Sequence, residues 1–97
     1  MKYIVETTGL FDKWHRSLSD LRAKMAVVRR LEQTENGNFG DHKAVGNGIS
    51  EMRIHIGAGY RLYYTIRNLQ VVFLLCGGNK STQQADIKRA VALAKEL

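Results

Sequence analysis

The chain has 97 residues, with 15 Lys and Arg against 9 Asp and Glu, and a formal net charge of +6. This length accommodates one domain, spanning residues 1–97, and the 44% hydrophobic content argues against disorder. A single cysteine and the lack of any apolar run near the roughly 20 residues of a membrane helix exclude a disulfide scaffold, a multi-thiolate metal site and a membrane span. Because the N-terminus has no signal-peptide h-region, we expect a cytoplasmic protein, whose positive charge favours an anionic partner.

The first 18 residues predict a short strand and a helix. Residues 2–6 alternate weakly between polar and apolar side chains, as strands do. Thr8 is a favourable N-cap residue for a helix that runs to about Leu18. One side of this helix is apolar, and we expect it to face the core. Its apolar residues are Leu10, Phe11, Trp14 and Leu18.

A second helix is predicted from Ser19-Asp20 to Asn36-Gly37, where glycine suits the left-handed position after a helix. Apolar residues recur at i, i+4, i+7 and i+10 and predict the buried stripe of this helix. They are Leu21, Met25, Val28 and Leu31. The other face is basic, with Arg22, Lys24, Arg29 and Arg30. The short link between the two helices predicts an antiparallel pair.

The hydrophobic period changes from 3.6 to 2 in the second half of the chain. Residues 37–48 contain four of the nine glycines and are predicted to form a loop. Three strands follow, separated by short turns, and they cover residues 49–56, 60–67 and 71–76. The third strand has no polar alternation, which predicts burial on both faces at the centre of the sheet.

The chain ends in a predicted helix. Residues 77–80 turn out of the last strand, and Ser81 with Gln84 forms the sequence pattern of a capping box. Apolar residues at helical spacing follow as far as Leu97. The order of elements is one strand, two helices, three strands and a final helix. This order predicts an α+β fold.

Side chains on two neighbouring strands form a basic cluster. By strand alternation, Arg53 and His55 share a face with Arg61 and Tyr63. A three-residue turn at 57–59 would place His55 opposite Arg61, and Arg53 opposite Tyr63. Like charges opposite one another destabilise a sheet, so stability does not explain this cluster. We expect helices on the other face of the sheet, which leaves this face open.

The cluster has the chemistry to bind a phosphodiester. Two guanidiniums can clamp a phosphate, and an imidazole or a phenol can transfer protons or stack on a base. Lys80 and Lys43 could close the rim of such a site. The alternative is an ordinary solvated sheet face, with Glu51 neutralising Arg53 or Arg67. The three histidines lie on different predicted elements without ligand spacing, so no metal site is predicted.

Several segments resemble toxins of the RelE/ParE superfamily in sequence and in order. Three of these segments lie on the predicted strands of the second half of the chain and just after the last one. They are Glu51–Ile54, Gly59–Tyr64 and Leu74–Gln83. The stretch Gly37–Gly48 and the earlier Phe11-x-x-Trp14 are similar to the small HigB-like branch, often called addiction-module killer proteins. The resemblance implies a RelE-like fold, in which an N-terminal strand and a helical hairpin pack on an antiparallel β-meander, with a C-terminal helix.

The resemblance further implies the toxin of a type II toxin-antitoxin module. RelE- and HigB-like toxins are endonucleases that cut mRNA in the ribosomal A site by 2′-OH attack, without metal or cofactor. The family's catalytic positions correspond to Arg53, His55, Arg61 and Lys80 here. By this resemblance Arg61 and Lys80 stabilise the phosphorane, Arg53 positions the phosphate and His55 transfers a proton.

The chain departs from the family pattern at one point. RelE-like toxins carry a C-terminal tyrosine, and no tyrosine follows Tyr64 here. Tyr63 could replace it from the open face, or Gln83 and Asp86 could contribute from the last helix. The predicted substrate-binding residues are Lys43, Tyr63 and Gln83.

The resemblance also implies partners. The expected ones are the ribosome, mRNA and an antitoxin, commonly a helix-turn-helix protein, with DNA contacted only through the antitoxin complex and no membrane. The basic face of the second helix is then a solvated surface, a contact for ribosomal RNA or a contact for an acidic antitoxin segment. Two alternatives to the nuclease remain: a ParE-like inhibitor of DNA gyrase without nuclease residues, and a non-enzymatic co-repressor that only binds antitoxin.

Overall fold

The computed structural model describes residues 1–97 as a five-stranded mixed sheet with helices on both faces. The strands are β1 (Ile4–Thr7), β2 (His42–Gly46), β3 (Ile49–Ile54), β4 (Tyr60–Arg67) and β5 (Val71–Asn79). The helices are α1 (Gly9–Ser17), α2 (Leu21–Glu35) and α3 (Gln83–Ala94), with a short 3-10 helix, Lys80–Thr82, before α3. The order across the sheet is β1-β5-β4-β3-β2, with β1 parallel to β5 and the other neighbours antiparallel. The predicted α+β fold is confirmed.

Polar side chains fix where the helices begin. The Phe11 N–H donates to Thr8 Oγ1 (3.1 Å), as predicted, and the Ala23 N–H donates to Asp20 Oδ1 (3.2 Å). The predicted capping box of Ser81 and Gln84 is wrong. Asn79 is the cap, because its Oδ1 accepts the Ser81 N–H (2.9 Å) at the start of the 3-10 helix that precedes α3. None of the three helices has the length and apolar character needed to cross a bilayer.

The predicted loop at residues 37–48 is wrong, because it contains the edge strand β2. This strand pairs with β3, with His42 opposite Met52 and Lys43 opposite Glu51. Two of the four glycines serve the hairpin to β3: Gly46 ends β2, and Gly48 forms the turn with Asn47, with φ values of +98°, +76° and +55° for Gly46, Gly48 and Asn47. A glycine-rich stretch therefore marked a tight turn at the end of a strand, not a long loop.

The sheet buries side chains on both faces. On one face, α1 and α2 cover a core that contains Phe11, Val27, Met52, Ile54, Leu62, Tyr64, Val72 and Leu74. On the other face, α3 covers a smaller core of Ile49, Tyr63, Leu75, Cys76, Ala90 and Ala94. The expectation of an open second face is therefore wrong over this part of the sheet. The final helix packs there because its apolar face, which includes Ile87, Ala90 and Val91, needs burial.

The apolar stripe predicted to be buried on α2 instead faces outward. Leu21, Met25 and Val28 are 67%, 56% and 46% exposed. The helix packs through small residues, and its buried side chains are Ala23, Val27 and Thr34. Among the predicted stripe, only Leu31 packs against the core. The rotation of α2 is thus set by the small side chains that allow it to approach the sheet closely, and Leu21, Met25 and Val28 are left outside.

Strand β5 is buried on both faces, as predicted. It lies between β1 and β4, although β4 is the middle strand of the sheet. Two residues near its end, Gly77 and Gly78, have no side chain: a Cβ at Gly77 would overlap the Trp14 ring of α1, and one at Gly78 would overlap the Asp86 carboxylate of α3. The two glycines therefore let helices approach the same strand from opposite sides.

Substituting Gly77 tests this packing. Gly77→Ala is expected to lower the free energy of unfolding by about 1–3 kcal/mol, because the new methyl group and Trp14 cannot share the same space. Urea unfolding followed by circular dichroism measures the change. The matched control is Gly9→Ala, where no atom lies within 4 Å of the added Cβ. Equal stabilities for the two variants would contradict the packing described.

Cys76 provides a second test of burial. Its side chain is 1% exposed, and burial raises the pKa of the thiol to about 12. Cys76 is therefore a small residue of the second core. We expect iodoacetamide to label Cys76 at least roughly 100-fold more slowly in the native protein than in urea, even at pH 9, because an ordinary thiol ionises near pH 8.5. Rapid native labelling would show that this core opens.

Candidate functional site

Arg53 and Arg61 lie directly opposite each other on β3 and β4, on the face of the sheet that carries α3. The predicted register, with Arg53 opposite Tyr63 and His55 opposite Arg61, is wrong by two residues. The strands are joined by the five residues 55–59 and not by a three-residue turn, since β3 ends at Ile54. A shift of two residues preserves strand alternation, so both arginines remain on the same face as predicted.

A buried carboxylate joins these two arginines. Glu51 is 1% exposed, and its Oε2 accepts hydrogen bonds from Arg53 Nε (2.7 Å) and from Arg61 Nη1 (3.0 Å). Gln83 Nε2 on α3 donates to the other oxygen, Oε1, at 3.3 Å. The like charges that should repel across the sheet are therefore held together by an anion between them.

Sequence reasoning missed the importance of Glu51, which it treated only as a neutraliser of surface charge. The sequence did indicate that Glu51 lies beside Arg53, because residues two apart in a strand have their side chains on the same face. Burial under α3 could not be seen, because the covering helix is 32 residues further along the chain.

The two arginines are less accessible than predicted. The side chain of Arg53 is 27% exposed and that of Arg61 is 13% exposed. Arg61 Nε is buried without a hydrogen-bond partner. A buried donor that lacks an acceptor is unusual in a folded protein, so Arg61 retains donor capacity that the folded chain does not satisfy.

His55 is positioned by Asp41, a residue that the sequence did not single out. The His55 ring is 66% exposed, and its Nε2 lies 2.6 Å from Asp41 Oδ2. The His55 hydrogen bond, followed by the charge of Arg53, lowers the pKa of Asp41 below its usual value. The ionised carboxylate can only accept, so the ring carries hydrogen on Nε2 and its Nδ1 is left free. Asp41, which directly precedes β2, also contacts Arg53, because the Arg53 backbone N–H donates to Asp41 O (2.8 Å).

The four predicted catalytic residues line one small cavity. Arg53, His55, Arg61 and Lys80 surround it, together with Ile54, Gly59 and Tyr60. Its volume of about 10 Å³ has room for roughly one water molecule, so a phosphate would have to bind at its mouth. The exposed Lys80 is held at this rim by its backbone N–H, which donates to Gly59 O (3.0 Å).

The predicted substrate-binding residues lie in three different environments. Lys43 is exposed on β2, opposite Glu51, and thus shares the face of the arginines. Gln83 is half-buried and bonded to Glu51. Tyr63 is fully buried beneath α3, and this burial raises the pKa of its hydroxyl. The prediction that Tyr63 contacts substrate from an open face is wrong, because α3 covers it.

Asp86, the other residue considered on the last helix, is also buried. It is 4% exposed and accepts a hydrogen bond from the Thr82 hydroxyl. Its carboxylate packs against Gly78 and not into the small cavity.

No group of three or more His, Cys, Asp or Glu side chains is arranged to hold a metal ion. The site is therefore a set of cations, two carboxylates and one histidine.

Comparing Arg61 with Lys80 separates structural from surface roles. Arg61→Ala is expected to lower the free energy of unfolding by about 1–3 kcal/mol, because buried Glu51 loses one of its two charged donors. The matched Lys80→Ala variant should stay within about 0.5 kcal/mol of the wild type, since Lys80 is exposed. Urea unfolding measures both, and a neutral Arg61→Ala would contradict the bridging role of Glu51.

Comparison with known proteins identifies relatives in sequence. Residues 13–97 match the family described as "Phage derived protein Gp49-like (DUF891)". An uncharacterized protein of Haemophilus influenzae is 50% identical over 93 residues, covering 96% of this chain and 94% of that protein. The family match includes every residue of the candidate site.

Solved structures show the same fold at low sequence identity. A mutant of the E. coli toxin RelE in its free state has a TM-score of 0.73 and 18% identity, covering 95% of this chain and 96% of that one. The toxin-antitoxin complex RelBE2 of Mycobacterium tuberculosis has a TM-score of 0.65 and 22% identity, covering 82% and 100% of the two chains. The intact E. coli RelBE toxin-antitoxin complex gives 0.53 and 24%, covering 79% and 95%. The chain belongs to the Gp49-like family of phage-derived proteins and has the fold of RelE toxins.

Proposed function

We propose that the chain is the toxin of a type II toxin-antitoxin module, in the HigB-like branch, and that it is a ribosome-dependent mRNA endonuclease. The observation that carries this proposal is the convergence of Arg53, His55, Arg61 and Lys80 on one cavity that opens to solvent. The RelE fold adds support, because the similar solved structures are a toxin and two toxin-antitoxin complexes.

RNA supplies its own nucleophile, so the chain needs only to bind the phosphate, stabilise charge and move protons. A scissile phosphate at the mouth of the cavity would meet Arg53 and Lys80, the two cations at its rim. Arg61 would act from beneath with the donors that Glu51 leaves free. Fixed cations of this kind favour the phosphorane over the ground state, because negative charge builds up as the 2′-oxygen attacks.

His55 is the proton-transfer residue of this proposal. Asp41 holds its Nε2 and leaves Nδ1 toward solvent, where it can take the 2′-OH proton or protonate the leaving 5′-oxygen. The Asp41 carboxylate also stabilises the charged imidazolium. Because Asp41 is hydrogen-bonded to the ring, it also fixes the ring orientation that either proton transfer requires.

Glu51 is proposed to preorganise the two guanidiniums. It lowers the net charge of the site but prevents the arginines from moving apart before substrate binds. Gln83 acts through Glu51 in this scheme, and Lys43, further along the same face, binds a neighbouring phosphate. The proposed partners are the cytoplasmic ribosome with its mRNA, and an antitoxin of helix-turn-helix type through which the toxin reaches DNA.

Expression of the chain without antitoxin tests the activity. We expect growth arrest and mRNA cut within reading frames, with 2′,3′-cyclic phosphate or 3′-phosphate ends that primer extension and end analysis detect. His55→Ala and Lys80→Ala should each reduce cleavage by roughly 100-fold or more. The matched control is Lys88→Ala, an exposed lysine on α3 outside the site, which should cleave like the wild type.

Other outcomes would identify the alternatives. Double-strand DNA breaks and SOS induction with intact mRNA would indicate gyrase inhibition and overturn the nuclease. No effect on growth would indicate a subunit that only binds antitoxin. Full cleavage by both site variants would show that the cavity is not the active site.

A further inference from the structure

Helix α2 leaves three of its large apolar side chains exposed. Leu21, Met25 and Val28, here called the outer stripe, lie on its solvent side, while the core side has the fully buried Ala23, Val27 and Thr34 and the partly buried Leu31. A surface helix that is solvated in the functional state normally turns its large apolar residues inward. The outer stripe is therefore expected to be covered by another molecule.

Two unpaired arginines run along one margin of the outer stripe. Arg22 and Arg29 each follow a stripe residue by one position, so both project about 100° around the helix from it. Both are exposed, and neither takes part in an ion pair. Met25, Val28, Arg29 and Glu32 line a groove of about 210 Å³ on this side. An apolar stripe with a cationic margin fits an amphipathic segment whose polar edge is acidic.

The groove leads toward the candidate site. A second cavity, of about 260 Å³, lies between α2 and the end of β3, and it shares Arg29 with the groove. It also contains His55, which lines the small cavity of the candidate site as well. A segment seated on the outer stripe could thus continue past Arg29 and reach His55.

We propose that the outer stripe of α2 docks an acidic amphipathic segment of a partner protein, whose continuation past Arg29 covers His55. Naming this partner as the antitoxin rests on the proposed function. A second copy of this chain fits less well, because two copies would bring two arginine margins and two net charges of +6 together. The chemistry of the surface thus favours an acidic partner over self-association.

Binding to the product of the open reading frame that adjoins the gene tests the proposal. Met25→Asp and Arg29→Glu are each expected to weaken that complex by roughly tenfold or more, measured by isothermal titration calorimetry. The matched control is Leu69→Asp, an 82% exposed leucine in the β4–β5 turn, which should bind within about twofold of the wild type. Thermal melts confirm that each variant folds, since all three positions are exposed.

Several results would overturn the docking surface. One is unchanged affinity of both Met25→Asp and Arg29→Glu for the adjoining product, and another is failure of that product to bind the wild type. A third is a wild-type chain that sediments as a dimer and becomes a monomer in Met25→Asp. Loss of ribosome binding in Arg29→Glu with the partner affinity intact would instead make this face a ribosomal RNA contact. The proposed function is tested separately, by mRNA cleavage with the free wild-type chain. If cleavage fails while Met25→Asp still weakens the complex, the nuclease is wrong and the docking surface stands.

Discussion

The arrangement of the site depends on one buried carboxylate. Glu51 accepts from both Arg53 and Arg61, which would otherwise repel each other across adjacent strands. A carboxylate this deeply buried is costly without partners, and the partners are costly without it, so the three groups are stable only together. Because α3 supplies Gln83 to the same carboxylate, the helix that closes the second core also helps to fix the guanidiniums. Folding and the geometry of the site are thus coupled through one side chain.

Much of the fold could be predicted because its signals are local. Thr8 and Asp20 cap their helices by contacts within three residues, and the alternation of β3 and β4 put Arg53 and Arg61 on the same face. Alternation has a period of two, so even a register wrong by two residues preserved the face. Arg53 and Arg61 were found for this reason, whereas Lys80, which lies beyond β5, was assigned through the family resemblance.

The parts that could not be predicted depend on contacts distant in sequence. The rotation of α2 is set by which side chains fit against the sheet, and the periodic pattern alone favoured the larger ones. The return of α3 over Tyr63 brings together residues far apart along the chain, and no local pattern encodes that packing. Asp41 was overlooked because its partner, His55, lies 14 residues away across the edge strand.

The paired glycines near the end of β5 let two helices approach opposite sides of one strand. Only the backbone separates the Trp14 ring on one side from the Asp86 carboxylate on the other. Lys80 lies two residues after Gly78, so α1 and α3 pack from opposite sides against the strand that leads to this lysine at the rim. Any larger residue at these two positions would collide with a helix on one side or the other. A molecule that binds to the outside of α1 or α3 and shifts it could therefore displace Lys80 without touching the cavity.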